Sequence, residues 1–245
     1  MRLVISHWKW TFRPGAMALA LCLFAAPALA QGDGGPPGID HYKVYRLGAP
    51  LTSLQPVVLR DQFMESQQVA QVFEYFATPV IKNGEPMFDP ILHYNWWRLN
   101  PMPMSATVLA TNQFGPDQAL HLFEASFLLN PSLKFPDPAQ QMPVANHYKC
   151  YRVDGLPVDR QVTLQDQFGF NEALVVRPEF FCTPVEKQTG DGIVYPIIDP
   201  EAHLVCYRIF KTPPTPAQPI VTQDQFGFWQ TQIVEAEFLC VLGIQ

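Results

Sequence analysis

Charge is what this sequence has little of: Asp, Glu, Lys and Arg together make 16% of its 245 residues, where about 25% is usual. The balance is acidic and lacks the clustered Lys and Arg of a nucleic-acid footprint or an anionic membrane surface, so neither partner is expected. After residue 30 no apolar run reaches the roughly 20 residues of a membrane span, and no heptad pattern appears. Three strong catalytic signatures are also missing: a G-x-S-x-G elbow, an H-E-x-x-H helix and a phosphate-cradling glycine loop. Their absence does not exclude an enzyme; it removes the usual grounds for asserting one.

The first thirty residues differ in kind from the rest. Arg2, Lys9 and Arg13 make a basic leader, Ala16 to Ala26 a continuous apolar stretch, and Ala28-Leu29-Ala30 a small-residue cleavage site. This pattern predicts a signal peptide over residues 1–30, a mature start at Gln31, and a secreted or periplasmic protein. Leu21 before Cys22 does not suit lipidation. The mature chain keeps 13 basic and 22 acidic residues, a formal charge of −9 with histidine neutral. Residues 31–38, QGDGGPPG, read as a flexible leader.

What the sequence does have is internal repetition. An aromatic element recurs as HYKVYR (41–46), HYNWWR (93–98), HYKCYR (147–152) and HLVCYR (203–208). A second follows as RDQF (60–63), TNQFG (111–115), QDQFG (165–169) and QDQFG (223–227). A third closes each copy: FEYFATPVIK (73–82), FEASFLLNPSLK (123–134), PEFFCTPVEK (178–187) and AEFLCVLGIQ (236–245). Successive copies start 52, 54 and 56 residues apart, counted from His41, His93, His147 and His203.

The segments are short, rich in Val, Phe, Tyr and Leu, and bounded by Pro, Gly and Asp, which predicts three strands per copy and an all-β protein. Both faces of the first strand are partly apolar, which suits a barrel or sandwich. Asp89-Pro90 and Asp199-Pro200 look like junctions at which a proline begins the next strand. The proline-rich connection from Pro136 to Pro143 divides the copies into two pairs, predicting two small barrel- or sandwich-like domains over residues 39–140 and 145–245. The alternative is one closed ring of four sheets, since propellers also have periods near fifty.

The HYKCYR, DQFG and CTPVEK pattern resembles an uncharacterised family of repeats in exported bacterial proteins, classed as a domain of unknown function. The resemblance covers essentially the whole mature chain, and copies three and four match best. It implies an extracytoplasmic setting and brings no activity and no catalytic residues. Copy one departs from the pattern at Met64, copy two at Asn112 and Trp96.

Each candidate for chemistry has a competing structural explanation. Four histidines on one axis would suit zinc or copper, but each is a lone residue at a strand start with no recurring acidic neighbour, so no metal is predicted. Asp61, Asp166 and Asp224 invite a general-base role; Asn112 in copy two cannot take a proton, whereas Asp and Asn alike can accept a backbone N–H in a turn. Glu74, Glu179 and Glu237 can pair with Arg46, Arg98, Arg152 and Arg208 within each copy, Glu124 being shifted by one residue; exposed pairs of this kind are worth at most about 1 kcal/mol. Trp97 aligns with Tyr45, Tyr151 and Tyr207 and reads as core, and Trp96 as filling volume. Phe228 and Trp229, just after a turn, are the candidate ligand-binding platform. The nonrepeated polar stretches, Asn112 to His121 and Lys187 to Asp191, are weak sites.

Comparison of the copies predicts the disulfides. Cys150 and Cys182 hold the first and third elements of copy three, and Cys206 and Cys240 the same places in copy four. Copy one has Val44 and Ala77 there, and copy two Trp96 and Leu128. Cysteine is present or absent at both places together, as expected of bonded partners and not of independent thiols, so the pairing is Cys150–Cys182 and Cys206–Cys240. The function expected is a non-catalytic exported binding or structural module without a cofactor, its extracytoplasmic ligand a carbohydrate or a protein. The alternative is an extracellular hydrolase acting on a polymer.

Overall fold

A strand with apolar side chains on both faces is stable only when both faces are covered, and the chain covers them by closing a single ring. The computed structural model describes residues 39–135 and 140–244; the signal peptide (1–30) and leader (31–38) expected from the sequence lie outside the described residues. Copy one supplies β1 (Tyr42–Arg60), β2 (Glu65–Pro79) and the short β3 (Ile81–Lys82), and copy two β4 (His93–Asn112) and β5 (Gly115–Lys134). Copy three supplies β6 (His147–Asp154), β7 (Arg160–Asp166), β8 (Gly169–Thr189) and the short β9 (Val194–Tyr195), and copy four β10 (His203–Thr212), β11 (Gln218–Asp224) and β12 (Gly227–Gly243). The described residues are all strand and connection, without helix.

The expected three strands per copy hold for copies three and four. In copies one and two the first and second elements merge into β1 and β4, with register shifts after Arg46 and Arg98. Copies three and four break there, at 155–159 and 213–217, and the latter stretch holds three prolines that cannot donate to a ladder. Asp89-Pro90 and Asp199-Pro200 do not begin strands. They lie in turns, where the Asp89 carboxylate accepts the N–H groups of Ile91 and Leu92 and that of Asp199 accepts Glu201 N–H.

Eight strands pair antiparallel in the circular order β1, β2, β4, β5, β6, β8, β10, β12. The last pairing, from Tyr42 opposite Cys240 to Leu47 opposite Ile233, returns β12 to β1. The inner face gives one buried cluster with four residues from each copy. Its middle layer is a cycle of rings, with centroids of Tyr75 and Phe127 5.7 Å apart, Phe127 and Phe180 5.5 Å, Phe180 and Phe238 5.3 Å, and Phe238 and Tyr75 5.5 Å. Trp96 lies against all four. The barrel is therefore filled by side chains, as eight-stranded barrels of small bore are.

The division into domains over 39–140 and 145–245 is corrected by this arrangement, and so is the four-sheet ring. One sheet runs through both halves, β5 of the first pairing with β6 of the second and β12 with β1. The outer core cluster likewise draws on all four copies. The strands that flank the proline-rich connection, β5 and β6, pair directly with each other.

Cys150 stands directly opposite Cys182 on β6 and β8, and Cys206 opposite Cys240 on β10 and β12. Both pairs are disulfide-bonded, with Cα atoms 4.0 and 3.9 Å apart. The equivalent pairs are Val44 opposite Ala77 and Trp96 opposite Leu129. Leu129, not Leu128, is the counterpart in copy two: Leu128 points to the outer cluster, because a shift of one residue along a strand changes the face. Installing copy one's pair, Cys150→Val with Cys182→Ala, is expected to keep the fold and to cost about 3–4 kcal/mol by restoring entropy to the unfolded chain. Urea unfolding under non-reducing conditions measures that loss, and an unchanged midpoint would refute it.

Candidate functional site

The second elements are hairpin arms that leave the barrel, and each tip docks on the copy two places further round. Val57–Arg60 pair with Glu186–Thr189, Thr111 with Ile244, Leu164 and Gln165 with Lys82 and Ile81, and Thr222 and Gln223 with Lys134 and Leu133. The repeated acidic residue sits in the joint. One oxygen holds the turn: Asp61, Asn112, Asp166 and Asp224 each accept, through Oδ1, the N–H of the phenylalanine two residues on, at 2.8–2.9 Å. The remaining polar atom reaches the target copy.

There the partners differ. Asp166 Oδ2 accepts Tyr45 Oη at 2.7 Å and lies 3.1 Å from Lys43 Nζ. Asp61 Oδ2 reciprocates, accepting Tyr151 Oη at 2.5 Å and lying 3.3 Å from Lys149 Nζ. All four charged groups of these pairs are fully buried; burial lowers both lysine pKa values, and the neighbouring aspartate opposes the shift. Copies two and four face each other without a lysine at this position. Asp224 Oδ2 accepts Trp97 Nε1 at 2.8 Å and Asn95 Nδ2 at 3.1 Å, while Asn112 Nδ2 donates to Tyr207 Oη at 2.8 Å beside Val205.

Lys187 is another buried amine with a different environment. Its Nζ donates to Asn130 Oδ1 at 2.9 Å and lies 4.6 and 4.8 Å from the ring centres of Tyr195 and Phe226. Burial brings its pKa down from 10.5 to about 6, with Asp224 opposing, and burial pushes the Asp224 carboxyl up. Between pH 6 and 10.5 the unfolded chain therefore carries a proton that the folded chain lacks. Stability from this group rises with pH across that window, by up to about 1.4 kcal/mol per unit, and is flat below it. Lys187→Met is expected to remove that slope and to raise the unfolding midpoint at pH 7, as thermal melts of both proteins between pH 6 and 9 would register; parallel curves would contradict it.

The strand-start histidines occupy four separate places. His41 Nε2 is 2.8 Å from Glu85 Oε2. His93 stacks on Phe76, donates through Nδ1 to Ile91 O and accepts Gln167 Nε2 at 2.9 Å. His147 Nε2 contacts Gln225 Nε2, and His203 stacks on Phe181 and donates through Nδ1 to Glu201 O at 3.1 Å. Burial lowers the pKa of His93 to about 4 and lowers those of His147 and His203, so these rings are neutral at pH 7. Among the described residues no group of three or more His, Cys, Asp or Glu is placed to hold a metal ion. His121 bonds Thr107 Oγ1, and neither it nor His147 bonds a carboxylate.

The arginines mark the opposite end of the first strands. They pair between neighbouring copies, not within them as the sequence suggested: Arg98 with Glu74, Arg152 with Glu124, Arg208 with Glu179, and Arg46 with Glu237. Only Arg208 also reaches its own copy's Glu237. Each first strand pairs along one edge with the third element of the preceding copy, which brings that copy's glutamate to the arginine. Trp96 and Trp97 are fully buried in the inner and outer clusters. Phe228 and Trp229 do not form a joint platform, since successive residues of β12 face opposite ways: Phe228 is 56% exposed, and Trp229 packs on Trp97 and donates to Asp224 Oδ1.

Two concavities are lined by a strand-start histidine. A cleft of about 670 Å³ lies where the tip of arm one meets β8 and the start of β10, lined by Arg60, Asp61, Gln62, Thr183, Pro184, Glu186, Ile197, Pro200, Glu201 and His203. A smaller one of about 250 Å³ is lined by Pro131, His147, Tyr195 and Gln225 among others. The sequence named His203 only as a repeated strand start; the loop that brings Glu201 and Ile197 beside it shares with the copy-one junction its Asp-Pro pair. Among families, the profile of a repeat of unknown function, DUF7450, matches residues 93–242. No curated protein and no solved structure matches the chain.

Proposed function

We propose that this chain, which belongs to the DUF7450 family, a repeat of unknown function, acts outside the cytoplasm as a non-catalytic binding module whose ligand sits in the 670 Å³ cleft. The observation that carries the reading is where the motif residues go. The repeated Asp, Tyr, Lys and Gln side chains are engaged in joints between copies, so the repeat builds a rigid support and the loops between copies present its surface. The cleft lies within the volume range of small-molecule sites. Export by cleavage after Ala30 belongs to the same proposal, and two disulfides are compatible with an oxidising compartment. Amino-terminal sequencing of the exported protein should begin at Gln31.

The test is to incubate mature protein with insoluble cellulose, chitin and peptidoglycan, measuring both retention on the polymer and release of soluble sugar. Retention without release is the expected result; no retention on any polymer, nor binding of any soluble protein or glycan, would end the reading. The second reading, an extracellular hydrolase, draws on the contact of His41 Nε2 with Glu85 Oε2, an arrangement usable for proton transfer. It requires release of fragments that Glu85→Gln abolishes.

A further inference from the structure

The four copies serve as one another's controls, and that comparison singles out His203. In copies two and three the histidine Nε2 is met by an arm-tip glutamine amide, Gln167 or Gln225. In copy four the ring is just as constrained. It is 3% exposed, stacked on Phe181, and its Nδ1 faces the Glu201 carbonyl oxygen, which can only accept, so Nδ1 carries the proton. Nε2 is thereby a lone-pair acceptor, and among the described residues it has no hydrogen-bond partner. A buried acceptor without a donor is costly and is recovered when a donor arrives.

His203 lines the 670 Å³ cleft. Around it stand groups of mixed character: Arg60 and Glu186, paired at 2.7 Å, the exposed carboxylate Glu201, and the apolar Ile197 and Pro200. Donors, acceptors and a small apolar wall together suit a pyranose, whose hydroxyls give and take hydrogen bonds and whose C–H face is apolar. An anion would meet the carboxylates of Asp61, Glu186 and Glu201, and a purely apolar ligand would leave Nε2 unfilled.

We propose that this cleft is a saccharide site in which a sugar hydroxyl donates to His203 Nε2. The inference rests on the binding-module reading and specifies its ligand class. Nε2 is itself buried, so entry of the sugar goes with movement of lining side chains. A hydroxyl there takes the place that glutamine fills in copies two and three.

The experiment uses mature, disulfide-bonded, 15N-labelled protein titrated with cellobiose, maltose and di-N-acetylchitobiose, following the His203 imidazole nitrogens by NMR. One of the three is expected to shift Nε2 saturably, and His203→Phe, which keeps the stacking on Phe181, is expected to weaken that sugar by about tenfold or more. Three sugars that leave Nε2 unmoved overturn the proposal, as does equal affinity in His203→Phe. Should that variant not fold, the wild-type Nε2 titration alone decides. Polymer retention with an unmoved Nε2 sinks this site and spares the binding-module reading, whereas an unmoved Nε2 with neither polymer retention nor binding of any soluble protein or glycan removes the two together.

Discussion

Replacing Lys43 by Val and Asp166 by Asn in the same molecule is expected to leave the protein near its original stability, although either change alone should cost about 3–5 kcal/mol. The expectation comes from the protein's own fourth joint. There Val205 stands where the other copies have Lys43, Lys149 or Asn95, and the arm that reaches it carries Asn112 in place of Asp. Losing Lys43 alone leaves a fully buried Asp166 carboxylate with Tyr45 and backbone donors only, and losing Asp166 alone leaves a buried ammonium with Asn171 Oδ1 at 3.0 Å. Either single change approaches the whole stability of an ordinary domain. The double change removes both charges and installs a neutral joint that this fold already uses. Urea unfolding of the four proteins in the cycle gives the coupling energy; additive losses would show that the buried pair is not a unit.

Cutting the chain into residues 39–140 and 145–245 is expected to abolish independent folding of both halves. Every arm docks across the cut: arm one on copy three, arm three on copy one, arm two on copy four and arm four on copy two. Each half alone would expose two barrel edges, since the β5–β6 and β12–β1 ladders are broken, and would leave its aromatic layer open to water. Separately produced halves should be unfolded or self-associated, and co-expressed halves should assemble into a one-to-one complex. A cooperative unfolding transition in a monomeric half, seen by circular dichroism together with sedimentation, would restore the two-domain organisation.

The first expectation turns on a paired departure from the repeat that is legible in the sequence. The joint loss of cysteines in copies one and two led directly to the bridges, because disulfide partners lie opposite each other on adjacent strands of one copy. Val205 and Asn112 depart from the repeat together in the same way, but they lie in different copies, so comparison within a copy does not link them. Turn formation by itself admits either Asp or Asn at this position. That explanation holds for one oxygen and is silent about the other.

The sequence by itself determined the four copies, the all-β character, the disulfide pairs and the burial of Trp96 and Trp97, because each of these rests on local spacing, alternation or paired loss. Only the tertiary structure decided that the copies form one barrel, that each arm reaches two places round it, that the arginines pair with neighbours, and that His203 ends with an unfilled acceptor in a cleft. The physical reason is degeneracy. Alternation of apolar residues fixes which face of a strand is buried and says nothing of what buries it. With four nearly equivalent copies every joint has several chemically acceptable partners, and closure of the ring selects among them by leaving no edge unpaired.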